Sequence, residues 1–307
     1  MTCFVEMINR GDSSSTIPTL NSSENGKSDV MSTIAIERRL LTISRTQRTT
    51  HSLRGEATSL ESKSLDSRGH CCSLITMGVA RRLVRRVQDR IEELFPNWVH
   101  WWRRRKWESK WGNPEYNPFW KTNQPQKELV DAIDSGWFPR NQRIIDVGCG
   151  GGEVSRWLAG QGFRVVGVDY SVAAIERSRC DSAGQPNAPI FEVADLCSEE
   201  LQLKPAYSLL DRGCFHRIVE NLRPVYARNI ARATVKGGHF LLLAGRFQHT
   251  RFLNYSGARS EQELQEHVEE VFGDYFTIER AESAIINATE GAKGMSAMAF
   301  WMVRKPA

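Results

Sequence analysis

Short apolar runs alternate with helix-like stretches through much of this chain, and the alternation indicates which elements the sequence forms. Residues 144–171, IIDVGCGGGEVSRWLAGQGFRVVGVDYS, show the pattern most simply. The apolar runs near its two ends, IIDV and VVGVD, predict short buried strands. Between them, Val154, Trp157 and Leu158 recur at spacings of three and four, which predicts a short helix that glycines end. The segment is therefore predicted to form one strand–helix–strand unit.

The alternation continues toward the carboxyl end and predicts the fold class. Helices are expected from Val172 to Cys180 and at RPVYARNIARATV, and strands at APIFEVADL, AYSLLDR and HFLLLAG. Ser260 and Glu263 have the spacing of a capping box, which begins a further helix. Two apolar runs, FTIERAESAII and MSAMAFWMVR, then follow without a helix between them. This order predicts an α/β fold, a Rossmann-like, doubly wound and mostly parallel sheet of seven strands with an antiparallel C-terminal strand.

Composition divides the 307 residues into three parts. Residues 1–76 are rich in Ser, Thr, Arg and Asn and show no sustained periodicity. Such a stretch buries too little apolar surface to offset the entropy lost on ordering, so we expect a disordered N-terminal extension. Acidic residues are spread through this stretch, which argues against a transit peptide. As an alternative, translation of the protein could begin at Met77, where the patterned sequence starts. A basic segment, 77–110, and the patterned domain, 111–307, complete the predicted organisation.

The segment 77–110 holds more Lys and Arg than Asp and Glu, and its pattern predicts a basic amphipathic helix followed by WVHWWRRRKW. Its apolar residues at helical spacing are Val79, Leu83, Val87, Ile91 and Leu94. Such a face could bind RNA, lie on an anionic membrane surface, or be the solvated side of a helix that covers the domain. We favour the covering helix.

Cysteine usage and hydropathy indicate which cellular compartment the protein occupies and whether a metal site is expected. The seven cysteines form no C-x-x-C pair, and an odd count fits the reduced thiols of a cytosolic protein. Cys214 and His216 form C-x-H without a second ligand pair nearby, so no metal site is expected. The chain has no apolar run of about 18 residues and no signal-peptide core. We therefore expect a cytoplasmic protein.

The glycine cluster between the first two predicted strands marks an edge of the sheet where a ligand can bind. In such a unit the loop after the first strand and the first amides of the helix face the ligand, and glycines let it approach the backbone. A nicotinamide-dependent oxidoreductase would require G-x-G-x-x-G, but Glu153 stands at the third glycine position. The chain instead has D-x-G-x-G-x-G from Asp146 to Gly152, and Asp169 ends the second strand.

These motifs closely resemble the first two motifs of class I S-adenosylmethionine-dependent methyltransferases. The resemblance implies S-adenosyl-L-methionine as the cofactor, with the acid that ends the second strand accepting both ribose hydroxyls. An ionised Asp169 can accept two donors at once. An acid after the third strand commonly faces the adenine amino group in this family, and Asp195 stands there, although it could cap its own loop. The implied cofactor-binding residues are Asp146, Gly148, Cys149, Gly150, Gly152, Asp169, Tyr170, Asp195, Leu196 and Asp211.

The residues after the fourth strand carry the information about the methyl acceptor. Nucleic-acid N-methyltransferases have [DN]-P-P-[YFW] there, whereas this chain has D-R-G-C, so no DNA substrate is expected. DRGCFH and the upstream WGNPEYNPFWKTNQPQKELVDAIDSGWFP resemble the thiopurine and thiol S-methyltransferase-like branch, which includes tellurite-resistance methyltransferases. The resemblance spans about residues 111–304 and implies methyl transfer to a small, soft, thiol-like nucleophile.

Four residues are predicted to address the acceptor. Asp211 or His216 is expected to orient or deprotonate it, although about a few per cent of a thiol is already thiolate at neutral pH. An ordinary hydrogen-bonded histidine fits His216 equally well. Trp120 and Cys214 are expected to contact the substrate, although Cys214 could pack behind the loop and Trp120 could belong to the core. The alternative function is a methyltransferase-fold protein that segment 77–110 directs to RNA or to a membrane surface.

Overall fold

The computed structural model describes five stretches of the chain, residues 93–121, 125–250, 254–258, 260–287 and 294–306. The predicted N-terminal extension, 1–76, and the first part of the basic segment, 77–92, lie outside the described residues. Their predicted disorder and helicity therefore stay predictions.

The elements of the described residues follow the predicted alternation. The helices are α1 (Pro96–Trp111), α2 (Lys127–Asp134), α3 (Glu153–Gly160), α4 (Val172–Ser182), α5 (Arg223–Ala233) and α6 (Glu261–Phe272). The strands are β1 (Arg143–Val147), β2 (Arg164–Asp169), β3 (Ile190–Val193), β4 (Ala206–Arg212), β5 (Thr234–Gly245), β6 (Phe247–Thr250), β7 (Asn254–Ala258), β8 (Phe276–Ile286) and β9 (Met295–Arg304). Two short 3-10 turns, Phe215–Arg217 and Glu220–Leu222, connect β4 to α5.

Seven strands form one sheet in the order β3-β2-β1-β4-β5-β9-β8. Strands β1 to β5 pair in parallel, whereas β9 runs antiparallel to both of its neighbours, β5 and β8. The predicted fold class is therefore confirmed. A separate hairpin of β6 and β7 was not predicted from the sequence.

The core covers both faces of this sheet, as a mostly parallel sheet requires. Strand β5 shows the division clearly. Phe240 and Leu242 belong to one buried cluster, whereas Leu241 and Leu243 belong to the other. Successive side chains of a strand point to opposite faces, so an unbroken apolar run supplies both clusters.

Helix α1 is the described part of the predicted basic segment, and it extends that segment to Trp111. It begins at Pro96. Proline suits the first turn because it lacks the backbone N–H, and an N–H at this position would have no partner within the helix. Glu108 accepts hydrogen bonds from the Ser171 hydroxyl (2.7 Å) and from the amide of Ala173 (3.0 Å), at the first turn of α4. The α1 helix is thus fastened to the domain. Among the described residues, no helix is long and apolar enough to cross a bilayer.

Candidate functional site

A cavity lies at the carboxyl edge of the parallel strands, where the sequence predicted a ligand site. Its wall combines the loop after β1, the ends of β2 and β3, the turn after β4, and α1. The predicted site residues that line it are Asp146, Gly148, Cys149, Gly150, Asp169, Tyr170, Asp195, Leu196, Trp120, Cys214 and His216. Gly152 and Asp211 are the predicted site residues that do not line it.

The glycine loop after β1 takes a conformation that side chains would prevent. Gly150 has a φ of 53°, and a Cβ there would lie 2.8 Å from the Trp111 ring. Gly152 has a φ of 74°, and a Cβ there would lie 2.8 Å from the Phe191 ring, on the side away from the cavity. Both glycines are therefore needed for the turn and for close packing, and Gly150 alone of the two presents its backbone to the cavity.

Asp169 ends β2, as predicted, and two backbone amides hold its carboxylate. The amide of Gly150 donates to Oδ2 (3.1 Å) and that of Ser171 donates to Oδ1 (2.9 Å). Burial raises the pKa of Asp169 to about 6, although these amides oppose the shift. Each carboxylate oxygen has about two acceptor positions, so one position on each remains for a ligand hydroxyl.

Asp146 lies beneath the loop at the end of β1 and lines the floor of the cavity. It is 3% exposed and accepts a hydrogen bond from the Ser155 hydroxyl in α3 (2.5 Å). Burial raises the pKa of Asp146 to about 6. Asp146 therefore ties the first strand to the helix that follows the glycine loop.

Asp195 lies after β3 and joins three parts of the cavity wall. Its carboxylate accepts the amide of Cys197 (2.9 Å), Nε2 of His100 (2.9 Å) and Nη1 of Arg104 (3.1 Å). Burial alone would raise the pKa of Asp195, but hydrogen bonding with His100 and its charge lower it below the ordinary value, with smaller contributions from the Cys197 amide and Arg104. Asp195 therefore caps its own loop, which was the alternative interpretation of this residue. It also forms hydrogen bonds with α1, which the sequence did not indicate.

The same group brings potential metal ligands together. One ligand atom each from His100, Asp195 and Cys197 lies within 4.8 Å of the others. Nε2 of His100 and the backbone amide of Cys197 are both hydrogen-bonded to Asp195, so this carboxylate caps its own loop.

Asp211 is placed differently from the prediction that it acts on the acceptor or contacts the cofactor. It is fully buried and accepts the amides of Cys214 (2.6 Å) and Phe215 (2.8 Å) as well as the hydroxyl of Tyr226. Because these bonds engage both oxygens outside the cavity, the geometry does not support a role as base. Asp211 instead fixes the turn that follows β4.

His216 lines the cavity, and its tautomer bears on its predicted role. The amide of Gly245 donates to Nδ1 (3.1 Å), so the neutral ring carries its proton on Nε2. In this state Nδ1, the nitrogen that could take a proton, is engaged by the amide of Gly245. The geometry therefore favours the orienting role of His216 over the deprotonating one.

Cys214 and Trp120, which are predicted to contact the substrate, both line the cavity, and each also has packing contacts. A Cβ on Gly148 would lie 2.6 Å from Cβ of Cys214, so this cysteine packs directly against the glycine loop. Burial raises the pKa of the Cys214 thiol well above its ordinary value. The Trp120 ring meets Trp107 edge-on, with centroids 5.8 Å apart.

Sequence reasoning missed several residues of this wall. Arg212 and Arg217 flank the turn after β4, and Nη2 of Arg212 donates to the carbonyl of Trp120 (2.9 Å). Their position next to DRGCFH could have identified them, since residues after a parallel strand reach this edge. Trp107 and His100 belong to α1, and no local pattern in the sequence indicates which surface that helix covers.

Comparisons with known proteins agree with this geometry. Residues 102–300 match the sequence model of the family described as Thiopurine S-methyltransferase. The 2-heptyl-1-hydroxyquinolin-4(1H)-one methyltransferase of Mycobacteroides abscessus is 26% identical over 208 residues, which cover 61% of this chain and 88% of that protein. The Probable thiol methyltransferase 2 of Arabidopsis thaliana is 28% identical over 140 residues, 45% of this chain and 60% of the relative.

A solved S-adenosylmethionine-dependent methyltransferase from Anabaena variabilis shares the fold, with a TM-score of 0.52 at 20% sequence identity. The match covers 66% of this chain and 93% of that one.

Proposed function

Because the chain belongs to the thiopurine S-methyltransferase family, we propose that it methylates a small, soft, thiol-like nucleophile. Family membership makes the chain an S-adenosylmethionine-dependent methyltransferase, and the matched residues include the whole cavity wall except His100. The name of the Arabidopsis thaliana relative supports a thiol acceptor.

The cavity residues fit S-adenosylmethionine. The cofactor supplies a methyl group on a positively charged sulfur. Asp169 accepts the two ribose hydroxyls through the acceptor position that remains on each oxygen. Gly150 lines the cavity next to Trp111, and its amide orients the Asp169 carboxylate. Asp195 and Tyr170 form the rim beside Asp169, where His100 and Arg104 from α1 also lie.

The placement of Asp211 and His216 carries the proposal for a soft acceptor. Neither residue is poised to remove a proton, because Asp211 is engaged by the turn and Nδ1 of His216 accepts an amide. An alcohol acceptor depends strongly on a base, whereas a thiol reacts as the thiolate that forms in water. His216 lines the cavity wall and helps to orient the acceptor there. Holding the acceptor in line with the methyl group supplies much of the remaining rate.

A measurement of S-adenosylhomocysteine formation with a panel of acceptors tests this function. The panel contains hydrosulfide, an arenethiol, an alkanethiol, a selenol, tellurite, a primary amine and 2-heptyl-1-hydroxyquinolin-4(1H)-one. We expect turnover with at least one sulfur or selenium acceptor and none with the amine. Turnover confined to the amine or to the hydroxyquinolone would overturn the thiol proposal and leave the methyltransferase assignment in place.

A further inference from the structure

The outward face of α1 presents indole rings and cations to solvent. Positions 94, 101, 102, 105 and 106 lie on one side of a helix with 3.6 residues per turn, and the opposite side bears the buried Val99 and Trp111. Trp101 is 38% exposed, and Leu94, just before α1, is 47% exposed. The residues of this outward face are Leu94, Trp101, Trp102, Arg105 and Lys106.

Cations lie directly over the indole rings of the outward face. The Arg105 guanidinium carbon is 5.0 Å from the Trp101 ring centroid, and Nζ of Lys106 is 5.3 Å from that of Trp102. These distances are within the range of cation–π attraction. The one acid of α1, Glu108, is hydrogen-bonded at the first turn of α4. The face therefore combines positive charge with exposed apolar surface.

Membership of the family does not account for this face. The matched residues begin at position 102, so Leu94 and Trp101 lie before them. The cavity is lined by the other side of α1, through His100, Arg103 and Trp107. The outward face is therefore left without a role in the methyltransferase site.

The sequence before α1 continues the same composition. Residues 77–92, which lie outside the described residues, contain five arginines and two acids. Leu83, Val87 and Ile91 recur at spacings of four, and Leu94 follows three positions later. A pattern of this kind, with basic residues around an apolar stripe, is typical of helices that lie in a membrane interface.

We propose that the outward face of α1 docks the protein on the surface of a bilayer that contains anionic phospholipids. Tryptophan rings are favoured at the level of the lipid headgroups, where one side is apolar and the other is wet. Arginine and lysine beside these rings are attracted by the negative charge of the lipid surface. Single-stranded RNA could also stack on Trp101 next to Arg105, but it offers no apolar environment for Leu94. The lipid surface therefore fits the whole face.

Docking on lipid also determines where the cavity lies. The opposite side of α1 forms part of the cavity wall, and an α-helix with its side chains is about 10–12 Å thick. The cavity is therefore held about one helix diameter from the headgroups. An acceptor that is dissolved in the bilayer has a short path to it.

Flotation of the full chain with lipid vesicles tests the proposal. One set of vesicles is phosphatidylcholine alone, and the other contains about one third phosphatidylserine. We expect much stronger binding to the second set, and added salt should weaken this binding. Trp101→Ala should lower the affinity for the anionic vesicles at least about tenfold, because the indole ring no longer enters the interface. Arg105→Gln should lower it about fivefold, since one cation is lost.

The control variants separate docking from folding and from cofactor binding. Arg232→Gln is the matched control, because it removes an exposed arginine from the last turn of another helix, α5. Arg105→Lys keeps the charge and should bind vesicles nearly as well as the parent. Affinity for S-adenosylhomocysteine and the melting temperature should stay the same in all variants. If Trp101→Ala melts early, the comparison of Arg105→Gln with Arg105→Lys decides the test.

Equal binding to both kinds of vesicle, or binding to neither, would overturn the proposal. It would also be overturned if the Trp101 and Arg105 substitutions left the affinity for anionic vesicles unchanged. Retention of the protein on polyuridylate without any binding to vesicles would assign the face to RNA instead. These measurements involve no methyl acceptor, so their failure leaves the proposed function in place, and a failure of thiol methylation leaves the docking proposal in place.

Discussion

Replacement of Asp169 tests the placement of the cofactor most directly. In Asp169→Ala both remaining acceptor positions are lost, and with them two charge-assisted hydrogen bonds to the ribose hydroxyls. Such bonds contribute about 1.5–3 kcal/mol each. Water can partly replace the carboxylate at the cavity rim, so we take the lower bound of about 3 kcal/mol, which is about a hundredfold in Kd.

The substitution also removes the carboxylate to which two backbone amides donate. The assay has to separate this effect from the loss of the bonds to the ribose hydroxyls. The amides of Gly150 and Ser171 both donate to Asp169, so alanine could loosen the glycine loop as well. Asp169→Asn keeps the shape and one acceptor oxygen, so we expect it to lose affinity by an intermediate factor. Asp274→Ala, at an exposed acid after α6, is the control.

Isothermal titration with S-adenosylhomocysteine measures the three affinities, and thermal melts of the unliganded proteins report the fold. We expect affinity to decrease in the order parent, Asp169→Asn, Asp169→Ala, with melting temperatures that stay close together. If Asp169→Ala bound as tightly as the parent, the assignment of the cofactor to this edge of the sheet would be refuted.

Five further predictions concern the turn after β4, the buried carboxylates and the N-terminal segments. Asp211→Asn should lower the free energy of unfolding by about 1–3 kcal/mol, since it weakens the bonds to Tyr226 and the turn, and urea denaturation measures this. Affinity for S-adenosylhomocysteine should rise between about pH 5 and pH 7, as calorimetry would show, because burial raises the pKa of Asp169 to about 6 and the ionised form accepts two hydroxyls. The stability of the unliganded protein should instead fall as pH rises from about 4 to about 6. The cause is that the folded chain binds the protons of Asp146, Asp169 and Asp211 more tightly than the unfolded chain does. Melting temperatures measured across this pH range test whether stability falls. Deletion of residues 1–76 should leave the affinity for the cofactor unchanged. If segment 77–110 binds RNA, retention of the protein on RNA should weaken steeply as the salt concentration rises, and retention that does not depend on salt would exclude that role.

Local sequence patterns were sufficient for the parts of the site that lie close together along the chain. The glycine loop and Asp169 belong to one strand–helix–strand unit, so their approach follows from the pairing of β1 with β2. The capping box of α6 is likewise present, with Ser260 and Glu263 bonded reciprocally. Hydrophobic periodicity and capping residues specify such features without reference to distant segments.

The partners of buried polar groups could not be predicted in this way. His100 meets Asp195 across 95 positions of sequence, and Tyr226 meets Asp211 across 15. Both contacts depend on how helices pack on the finished sheet, and a single sequence contains no local signal for that choice. The roles first predicted for Asp211 therefore changed, whereas its position at the end of β4 did not.

The position of β9 between β5 and β8 has a consequence for the order in which the domain can be assembled. A ribosome makes the strands from β1 onward, so the sheet strand that is made last is the one inserted between two strands made earlier. Until residues 295–304 have emerged, the growing chain has an unpaired edge on β5 and no strand to join β8 to the sheet. An exposed strand edge can pair with other chains. The sheet therefore cannot be completed before β9 is made, and until then the β5 edge is open to pairing with other chains.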